Sequence, residues 1–339
     1  MKAMILAAGY GTRLRPLTFN KPKPMVPVCN RPLIGYAVER FLAFGVTEIV
    51  VNLHHLPEII ERYLTREYGE DCRFHFSYEP EILGTGGGIR KVRSILEKEE
   101  EFFLANGDTI QIPPYEQLMN VRRALDAVAA LTLRHPPRGD RFTSVWYENG
   151  AITGFGEGGG EPLMFSGSHL ISSRIFRYLP DKDFSGIVDE VYMPLIASKK
   201  EIVAGVVDDG PWFDIGTPQR YISAASAVLD MTLEGSMAVA SGSKISGENI
   251  AHETATIHGT ASRSSIGKRS FIKGEVTNSI IGRDCRVAAS ASLHSCILGD
   301  GVEINRPLDL RSAIICRDDE QIPRDANYRY ENGLVISDF

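Results

Sequence analysis

Between residues 1 and about 235, short apolar runs alternate with segments whose apolar residues recur every three or four positions. The runs are rich in Ile, Val, Phe and Leu and predict strands over residues 2–8, 47–52, 72–78 and 101–107. The helical spacing predicts helices over residues 32–44, 56–68 and 86–98. This alternation predicts an α/β fold with a mixed, mostly parallel sheet flanked by helices, and ligands at the carboxyl ends of its strands.

Residues 127–171 have a different pattern, in which strand-like runs are separated by turn residues. The sequence Glu-Asn-Gly at 148–150 is typical of a tight hairpin turn, so antiparallel strands are expected to extend the sheet there. A helix over residues 217–233 is expected to close this first part of the chain.

Beyond residue 236, apolar residues become sparse and periodic. An aliphatic residue precedes each of Gly267, Gly282 and Gly299, and another follows five positions after each glycine. Approximate repetition at a short period is typical of a solenoid, whose coils bury their apolar corners against one another. A β-rich tail with chance glycines is the alternative. Residues from about 317 lose the pattern and are expected to cap the last coil or pack on it.

Composition and charge narrow the class of protein. The length of 339 residues predicts more than one domain, and the net charge of −6 argues against a nucleic-acid-binding protein. The five cysteines form no Cys-x-x-Cys pair, so they indicate neither a zinc knuckle nor a redox site. With no apolar run of ~18 residues and no signal-like N-terminus, we expect a cytoplasmic protein that does not enter a membrane.

The loop after the first predicted strand carries the clearest chemical signal. Gly9 and Gly11 are arranged as in a dinucleotide-binding turn, but Leu14 occupies the position of the third glycine. The loop continues with cations at Arg13, Arg15, Lys21 and Lys23, and it lacks the Gly-Lys-Ser/Thr of a P-loop. These charges suit a triphosphate or a departing pyrophosphate better than a bridging diphosphate.

The N-terminal 34 residues resemble the signature of sugar-1-phosphate nucleotidylyltransferases. The resemblance rests on Gly9, Gly11, Thr12 and Arg13, and on the Pro-Lys-Pro at residues 22–24. It implies a Rossmann-like catalytic domain, taken as residues 1–235, and a short left-handed parallel β-helix of hexapeptide repeats, taken as residues 236–316, before a tail at 317–339. It also implies a homo-oligomer assembled through the β-helix.

The resemblance implies a role for each residue of the phosphate site. Arg13 would contact the leaving β- and γ-phosphates, and Lys23 the α-phosphate and the incoming sugar phosphate. Without the family context, each would be expected to be a solvated surface cation. The residues implied in nucleotide binding are Leu6, Ala7, Ala8, Gly9, Gly11, Thr12, Arg13, Gly84, Thr85, Gly86 and Gly87. The last four lie in a glycine-rich loop whose backbone would read the base, although the loop could instead simply open a helix.

The metal and sugar sites are implied in the same way. Asp108 and Asp214, each expected at a strand end, would bind Mg²⁺, although either could instead cap the following segment. The residues implied in sugar binding are Gly107, Glu157, Gly167, Asp189 and Glu190. The family's Glu-Lys-Pro upstream of the sugar-contacting glycine is missing its lysine here, and Lys21 is one candidate to replace that charge.

The expected reaction joins a nucleoside triphosphate and a sugar 1-phosphate to give an NDP-sugar and pyrophosphate. The order of domains is most similar to that of mannose-1-phosphate guanylyltransferases, which favours GTP and mannose 1-phosphate. The alternatives are a uridylyltransferase acting on an N-acetylated amino-sugar 1-phosphate and a non-catalytic subunit that binds nucleotide sugars. An additional acyltransferase activity would need one of His252, His258 and His294, for which stacking or surface roles are favoured.

Overall fold

A computed structural model describes residues 1–137, 142–157 and 163–339. The chain forms two compact units. The first, called the sheet unit, comprises residues 1–9 and 34–212; the second, called the β-helix unit, comprises residues 10–33 and 213–339. The sequence predicts domain boundaries at residues 235 and 316. The division into two compact units does not test them, so they stay predictions.

The strands and helices are numbered in chain order. The strands are β1 Lys2–Leu6, β2 Pro27–Val28, β3 Arg31–Pro32, β4 Glu48–Leu53, β5 Arg73–Tyr78, β6 Glu101–Asn106, β7 Thr109–Gln111, β8 Ala129–Arg134, β9 Ser144–Glu148, β10 Ala151–Phe155, β11 Leu163–Ser172, β12 Val203–Val207, β13 Trp212–Asp214, β14 Ser243–Ser246, β15 Asn249–His252, β16 Thr256–Ile257, β17 Thr260–Ser262, β18 Ser265–Ile266, β19 Phe271–Ile272, β20 Glu275–Thr277, β21 Ile280–Ile281, β22 Arg286–Val287, β23 Ala291–His294, β24 Ile297–Leu298, β25 Glu303–Ile304, β26 Leu308–Arg311, β27 Ala313–Arg317, β28 Arg329–Glu331 and β29 Leu334–Asp338. The α-helices are α1 Leu33–Ala43, α2 Pro57–Tyr68, α3 Gly84–Lys91, α4 Arg93–Leu96, α5 Tyr115–Ala124, α6 Met193–Ser198 and α7 Pro218–Leu233.

The sheet unit is built on one mixed sheet with the strand order β5-β4-β1-β6-β11-β8-β12-β10-β9. Strands β5, β4, β1 and β6 are parallel to one another, as the strand–helix alternation predicts. Strand β11 then pairs antiparallel with both β6 and β8, and β10 pairs antiparallel with β12 and β9. With the parallel pair β8–β12 and the antiparallel pair β11–β9, the described strands of this sheet make four parallel and five antiparallel pairings, a larger antiparallel share than the sequence pattern indicated.

The periodicity located most elements of this unit to within two residues. The strand and helix predictions over residues 2–8, 47–52, 72–78, 101–107, 32–44 and 56–68 correspond to β1, β4, β5, β6, α1 and α2. The predicted helix over 86–98 is wrong in its bounds, because α3 begins at Gly84 and is separated from α4 by Val92. The glycines at 84–88 have low helix propensity, so tertiary packing must hold this turn.

The hairpin predicted at residues 148–150 is confirmed. Strands β9 and β10 pair antiparallel with Glu148 opposite Ala151, which leaves Asn149 and Gly150 as the two-residue turn. Their φ angles are 50° and 87°, the positive pair that a type I′ turn requires. Asparagine and glycine tolerate this conformation better than other residues, which is why the short sequence was informative.

The C-terminal repeats form a parallel β-helix. Its three faces are the strand stacks β15-β18-β21-β24-β27, β16-β19-β22-β25 and β17-β20-β23-β26. Gly267, Gly282 and Gly299 each directly follow a strand of the first stack. A Cβ on Gly267 would lie 2.4 Å from the carbonyl oxygen of Gly282 in the next coil. The solenoid prediction is therefore confirmed, and the glycine is repeated because the coils approach closely at this corner.

Both ends of the stack are extended by antiparallel strands. At the C-terminus, β29 pairs with β27 and with β28, so the residues beyond 317 pack on the last coil as expected. At the other end, β14 pairs with β15. Helix α7 begins after Thr217, whose side-chain oxygen accepts a hydrogen bond from the backbone N–H of Arg220 at 3.3 Å.

The structure also gives the surroundings of the cysteines and the lengths of the apolar helices. All five cysteines are buried free thiols, and burial raises the pKa of Cys29 and Cys285 to about 12. Among residues 1–137, 142–157 and 163–339, no helix is both long enough and apolar enough to cross a bilayer.

Candidate functional site

The glycine-arginine loop lies in the β-helix unit and begins with a strained turn. Gly11 has a φ of 65° and precedes a 3-10 turn over Thr12–Leu14. Its carbonyl accepts hydrogen bonds from the Leu14 N–H at 3.0 Å and from the Thr18 hydroxyl at 2.8 Å. A side chain at position 11 would therefore meet both an unfavourable backbone angle and a crowded neighbour.

That neighbour is Lys23. A Cβ on Gly11 would lie 2.8 Å from the Cβ of Lys23, so glycine is what allows the two segments to approach. Lys23 begins a second 3-10 turn, Lys23–Met25, and is only 7% exposed. The structure thus brings together Gly11 and Lys23, two residues that the sequence signature had singled out separately.

Arg13 and Asp214 meet at Gly216. A Cβ on Gly216 would lie 2.6 Å from the Oδ2 of Asp214 and 3.2 Å from the Nη1 of Arg13. The Asp214 carboxylate also accepts a hydrogen bond from the Arg220 guanidinium at 2.6 Å. Arg220 was missed in the sequence analysis, although it lies in the first turn of the helix that follows Asp214.

Lys21 is directed elsewhere. Its ammonium donates to the Oδ1 of Asp300 in the β-helix at 2.9 Å, and its side chain is 15% exposed. Lys21 is therefore engaged in an ion pair in this structure, and the suggestion that it replaces the missing sugar-phosphate lysine stays a prediction.

In the sheet unit, the residues after β1 are held by a chain of buried polar groups. The N–H of Ala7 donates to the Oδ1 of Asn52 at 2.8 Å, and the Nδ2 of Asn52 donates to Glu79 at 2.8 Å. The other oxygen of Glu79 accepts from the N–H of Leu83 at 3.0 Å, directly before helix α3. Asn52 and Glu79 are each 3% exposed and were not predicted; a polar residue at the end of an apolar strand was the available signal.

The chain of hydrogen bonds has two consequences. It joins the end of β1 to the start of α3, the two nucleotide-binding segments that the family resemblance implies for this unit. It also engages the backbone N–H of Ala7, so Ala7 offers a small side chain and a carbonyl to a ligand, but not that donor.

The glycine-rich segment is the first turn of α3 and not a loop. The N–H groups of Gly86 and Gly87 both donate to the carbonyl of Ser185, at 2.8 and 3.3 Å. A Cβ on Gly87 would lie 2.2 Å from the carbonyl oxygen of Asp183. These glycines therefore allow residues 183–185 to approach the helix, and their two N–H groups are not available to read a base.

Thr85 contributes a further bond to the same contact. Its hydroxyl oxygen accepts from the N–H of Ile187 at 2.8 Å. Two predicted sugar-site residues follow directly: Asp189 is exposed, and Glu190 accepts from the N–H of Gly186 at 3.1 Å and pairs with Lys182. The Lys182 hydrogen bond lowers the pKa of the Glu190 carboxyl below its usual range. The predicted nucleotide segment and the predicted sugar segment are thus joined.

Gly107 and Gly167 are positions of close approach near the strand ends. The N–H of Gly107 donates to the carbonyl of Leu6 at 2.9 Å, which places Asp108 in the turn after β6. Gly167 has a φ of 102°, and a Cβ there would lie 2.7 Å from the Nδ2 of Asn106. Asn106 is therefore another residue of this region that the sequence analysis missed. Glu157 is exposed, and the residues that follow it, 158–162, lie outside the described part of the chain.

The two predicted metal ligands, Asp108 and Asp214, are both carboxylates. Among the described residues, no group of three or more His, Cys, Asp or Glu side chains forms a protein-only metal cluster. Asp108 and Asp214 supply carboxylate oxygens, which suit a hard cation that also takes phosphate oxygens and water. Asp214 is partly exposed, at 15% of its side chain, and so is accessible from solvent. Each of the two carboxylates therefore has donor chemistry that suits a hard divalent cation.

Two family models match the chain. Residues 2–231 match the model described as Nucleotidyl transferase, and residues 246–328 match that described as GlmU-like, C-terminal hexapeptide. Nucleotidyl transferases of this kind generally use a divalent metal.

Curated relatives and a solved structure agree with these matches. Mannose-1-phosphate guanylyltransferase 1 of Arabidopsis thaliana is 30% identical over 327 residues, which cover 93% of this chain and 86% of that protein. Probable mannose-1-phosphate guanylyltransferase 1 of Oryza sativa subsp. japonica is 29% identical, with the same coverage of 93% and 86%. The crystal structure of HddC from Yersinia pseudotuberculosis matches with a TM-score of 0.56 and 25% identity, covering 67% of this chain and 99% of that chain. The chain belongs to the sugar-1-phosphate nucleotidylyltransferase family, and it is a nucleotidyltransferase with a hexapeptide-repeat domain.

Proposed function

We propose that this enzyme transfers a guanylyl group from GTP to mannose 1-phosphate and releases pyrophosphate. The choice of substrates is supported by the names of the relatives that match along nearly the whole chain. The observation that supports the chemistry most directly is the approach of Arg13 and Asp214 at Gly216, beside the turn that places Gly11 against Lys23.

In the proposed reaction, a phosphate oxygen of mannose 1-phosphate forms a bond to the α-phosphorus of GTP. The bond from that phosphorus to the oxygen bridging to the β-phosphate breaks, and pyrophosphate leaves with the electron pair. No covalent enzyme intermediate is needed, so the protein acts by positioning the phosphates and compensating their charge.

Arg13 is assigned to the departing pyrophosphate. The turn Thr12–Leu14 presents its guanidinium, whose planar donors match phosphate oxygens in two contacts at once. Charge accumulates on the pyrophosphate as the bond breaks, and a fixed guanidinium stabilises that charge more in the transition state than in the ground state.

Lys23 is assigned to the α-phosphate and the incoming sugar phosphate. It is nearly buried, and Pro22 and Pro24 on either side restrict its backbone. A compact ammonium in this position reduces the repulsion between two anionic phosphates that must approach within bonding distance.

Asp108 and Asp214 are the proposed ligands of Mg²⁺. When bound, the cation would compensate negative charge on the nucleotide phosphates. For Asp214 to bind through Oδ2, its hydrogen bond to Arg220 must open or be shared, so Arg220 is expected to hold the carboxylate in place before the metal binds.

The sugar site is proposed to include Gly107, Gly167, Glu157, Asp189 and Glu190, with Asn106 added by the structure. For base recognition, we propose Gly84, Thr85, Gly86 and Gly87. They would face the nucleotide through groups other than the N–H donors of Gly86 and Gly87, which bind Ser185. The proposed nucleotide site also includes Leu6, Ala7, Ala8, Gly9 and Thr12.

We also propose that the protein is cytoplasmic and forms a homo-oligomer through the β-helix. Light scattering of the purified protein tests the oligomeric state.

The experiment is a matrix of nucleoside triphosphates against sugar 1-phosphates with Mg²⁺, read as pyrophosphate release. GTP with mannose 1-phosphate is expected to give the highest kcat/KM. Asp108→Ala and Asp214→Ala are expected to abolish turnover at Mg²⁺ concentrations that saturate the unmodified enzyme. Activity that survives both changes would refute the metal assignment.

The same matrix separates the alternatives. Preference for UTP and an N-acetylated amino-sugar 1-phosphate would replace the guanylyltransferase assignment but keep the reaction. If folded protein binds nucleotide sugars but releases no pyrophosphate with any substrate pair, a regulatory subunit would be favoured.

A further inference from the structure

The phosphate loop rests on the β-helix. Leu17 is 4% exposed, and its Cδ1 lies 3.6 Å from the position of a Cβ on Gly299. The Nδ2 of Asn20 donates to Asp319 at 2.8 Å, and Lys21 pairs with Asp300 at 2.9 Å. Leu17 and Lys21 therefore contact the last coils, and Asn20 contacts the segment that follows them.

Asp300 is the centre of this contact because its carboxylate is oriented by the coil itself. Its Oδ1 accepts from the N–H of Arg283 at 3.0 Å, and its Oδ2 accepts from the Arg283 guanidinium at 2.7 Å. A Cβ on Gly282 would lie 2.7 Å from Oδ1, so the glycine makes room for the carboxylate. The Arg283 and Lys21 cations hold the pKa of Asp300 at about 2, despite the opposing effect of burial.

A short segment with a restricted backbone connects Lys21 to the proposed phosphate-binding residues. Only Pro22 separates Lys21 from Lys23, and the carbonyl of Pro22 accepts from the N–H of Met25 at 2.8 Å. The Cβ of Lys23 in turn lies against Gly11, two residues before Arg13. A displacement of Lys21 would therefore move Lys23 and the turn that carries Arg13.

We infer that Asp300 is a positioning residue, through which the β-helix holds the phosphate loop in its catalytic geometry by way of Lys21. The inference rests on the proposed roles of Arg13 and Lys23. It gives the β-helix a part in catalysis within one chain, separate from any role in assembly.

The test compares Asp300→Asn and Lys21→Met with Asp284→Asn. Asp284 pairs with Arg269 on the same corner of the β-helix, so its change removes a similar ion pair within the coils. Turnover is measured well below the unfolding temperature, with the folded fraction verified by circular dichroism. This condition separates positioning from simple stabilisation.

Asp300→Asn and Lys21→Met are each expected to lower kcat at least about tenfold, because small misplacement of catalytic groups is costly. The double variant is expected to be no slower than either single variant, since both changes remove one interaction. Lys21→Arg, which keeps the charge, is expected to retain most activity, and Asp284→Asn to retain all of it. Values of kcat within twofold of the unmodified enzyme for both main variants would overturn the inference.

A second measurement does not depend on activity. Amide hydrogen exchange over residues 12–25 is expected to become faster in Asp300→Asn and Lys21→Met but not in Asp284→Asn. If exchange becomes faster in these variants but the unmodified protein turns over no substrate pair, the proposed function is refuted and the contact is supported. Unchanged exchange in an active enzyme would overturn the contact while leaving the proposed function intact.

Discussion

In both the sheet unit and the β-helix unit, glycine allows two backbone segments to approach closely. The two units differ in how clearly the sequence pattern indicates this. In the β-helix, a Cβ on Gly267 would lie 2.4 Å from the carbonyl oxygen of Gly282 one coil away, and a Cβ on Gly282 would lie 2.8 Å from the carbonyl oxygen of Leu298 in the following coil. In the sheet unit, a Cβ on Gly87 would collide with the carbonyl oxygen of Asp183, almost one hundred residues later. Periodic neighbours can be recognised from a repeated pattern, whereas an isolated long-range partner leaves no such pattern.

The difference has a functional side. The glycine-rich segment at 84–87 resembles a base-reading loop, yet two of its N–H donors bind Ser185. The loop at 10–33 has fewer glycines, but its Gly11 faces Lys23 and its Arg13 approaches Asp214. The density of glycine is therefore a weaker indicator of phosphate chemistry than the cations that accompany it.

The largest expected effect tests whether the chemistry lies in the loop and not in the coils on which it rests. Arg13→Ala is expected to lower kcat by ~10²–10³-fold, because it removes a donor to the departing pyrophosphate. Arg269→Ala, in the β-helix, is expected to leave kcat unchanged. Steady-state pyrophosphate release measures both, and near-normal turnover of Arg13→Ala would refute its role.

The glycine comparison is tested by Gly87→Ala and Gly267→Ala. Each added Cβ meets a backbone oxygen, at 2.2 and 2.4 Å, so both are expected to lower the free energy of unfolding by about 1–3 kcal/mol. The loss is expected to be smaller at Gly87, because alanine favours the helix there by about 1 kcal/mol. Urea denaturation measures both values.

Gly154→Ala is the control for these two changes. Its Cβ would meet the nearest atom, Cδ1 of Trp146, at an ordinary 3.5 Å, so little loss is expected. A Gly87→Ala protein more stable than the original would show that helix propensity outweighs the contact with Asp183.

The free energy of unfolding at acidic pH tests one ion pair in each unit. The pKa of Asp300 is lowered to about 2 by Lys21 and Arg283, so its stabilising contribution is present above its ordinary value of 3.8 and is lost as the pH falls toward 2. The difference in unfolding free energy between the original protein and Asp300→Asn is expected to decrease by about 1–2 kcal/mol between pH 5 and pH 2.

The matched comparison is Glu190→Gln in the sheet unit. Glu190 pairs with Lys182 at the surface, where solvent screens the interaction, so little effect on unfolding is expected at any pH. An equal pH dependence for both variants would show that the lower exposure of the lysine partner, 15% for Lys21 against 53% for Lys182, does not distinguish Asp300.

The smallest expected effect concerns the first turns of two helices. Thr217 caps α7 with its hydroxyl, whereas Leu83 precedes α3 without a side-chain cap. Thr217→Ala is expected to lower the free energy of unfolding by about 1 kcal/mol, and Thr217→Ser to restore most of it. Thermal unfolding followed by circular dichroism distinguishes the two; equal losses would contradict the capping role.

Part of the candidate site could be proposed from the sequence because its members lie close together along the chain. Gly11, Arg13 and Lys23 fall within thirteen residues; the glycine turn and the cations after it predict a phosphate site, and the family resemblance implies the role of each residue. Asn52, Glu79 and Asn106 were not predictable, because their importance comes from hydrogen bonds and contacts with residues from other elements. Arg220 was missed for a similar reason, since its contact with Asp214 requires the chain to turn at Gly216.

The sequence by itself determined β1, β4, β5, β6, α1 and α2, the hairpin at Asn149–Gly150 and the repeat of the β-helix. Each depends on hydrophobic period or on backbone angles that few residues tolerate, and both are local properties. Only the tertiary structure decided where α3 begins, which N–H groups of its first turn bind Ser185, and that Lys21 pairs with Asp300. These outcomes depend on which distant groups meet in the folded chain, because a charge or a hydrogen-bond donor takes its role from its partner.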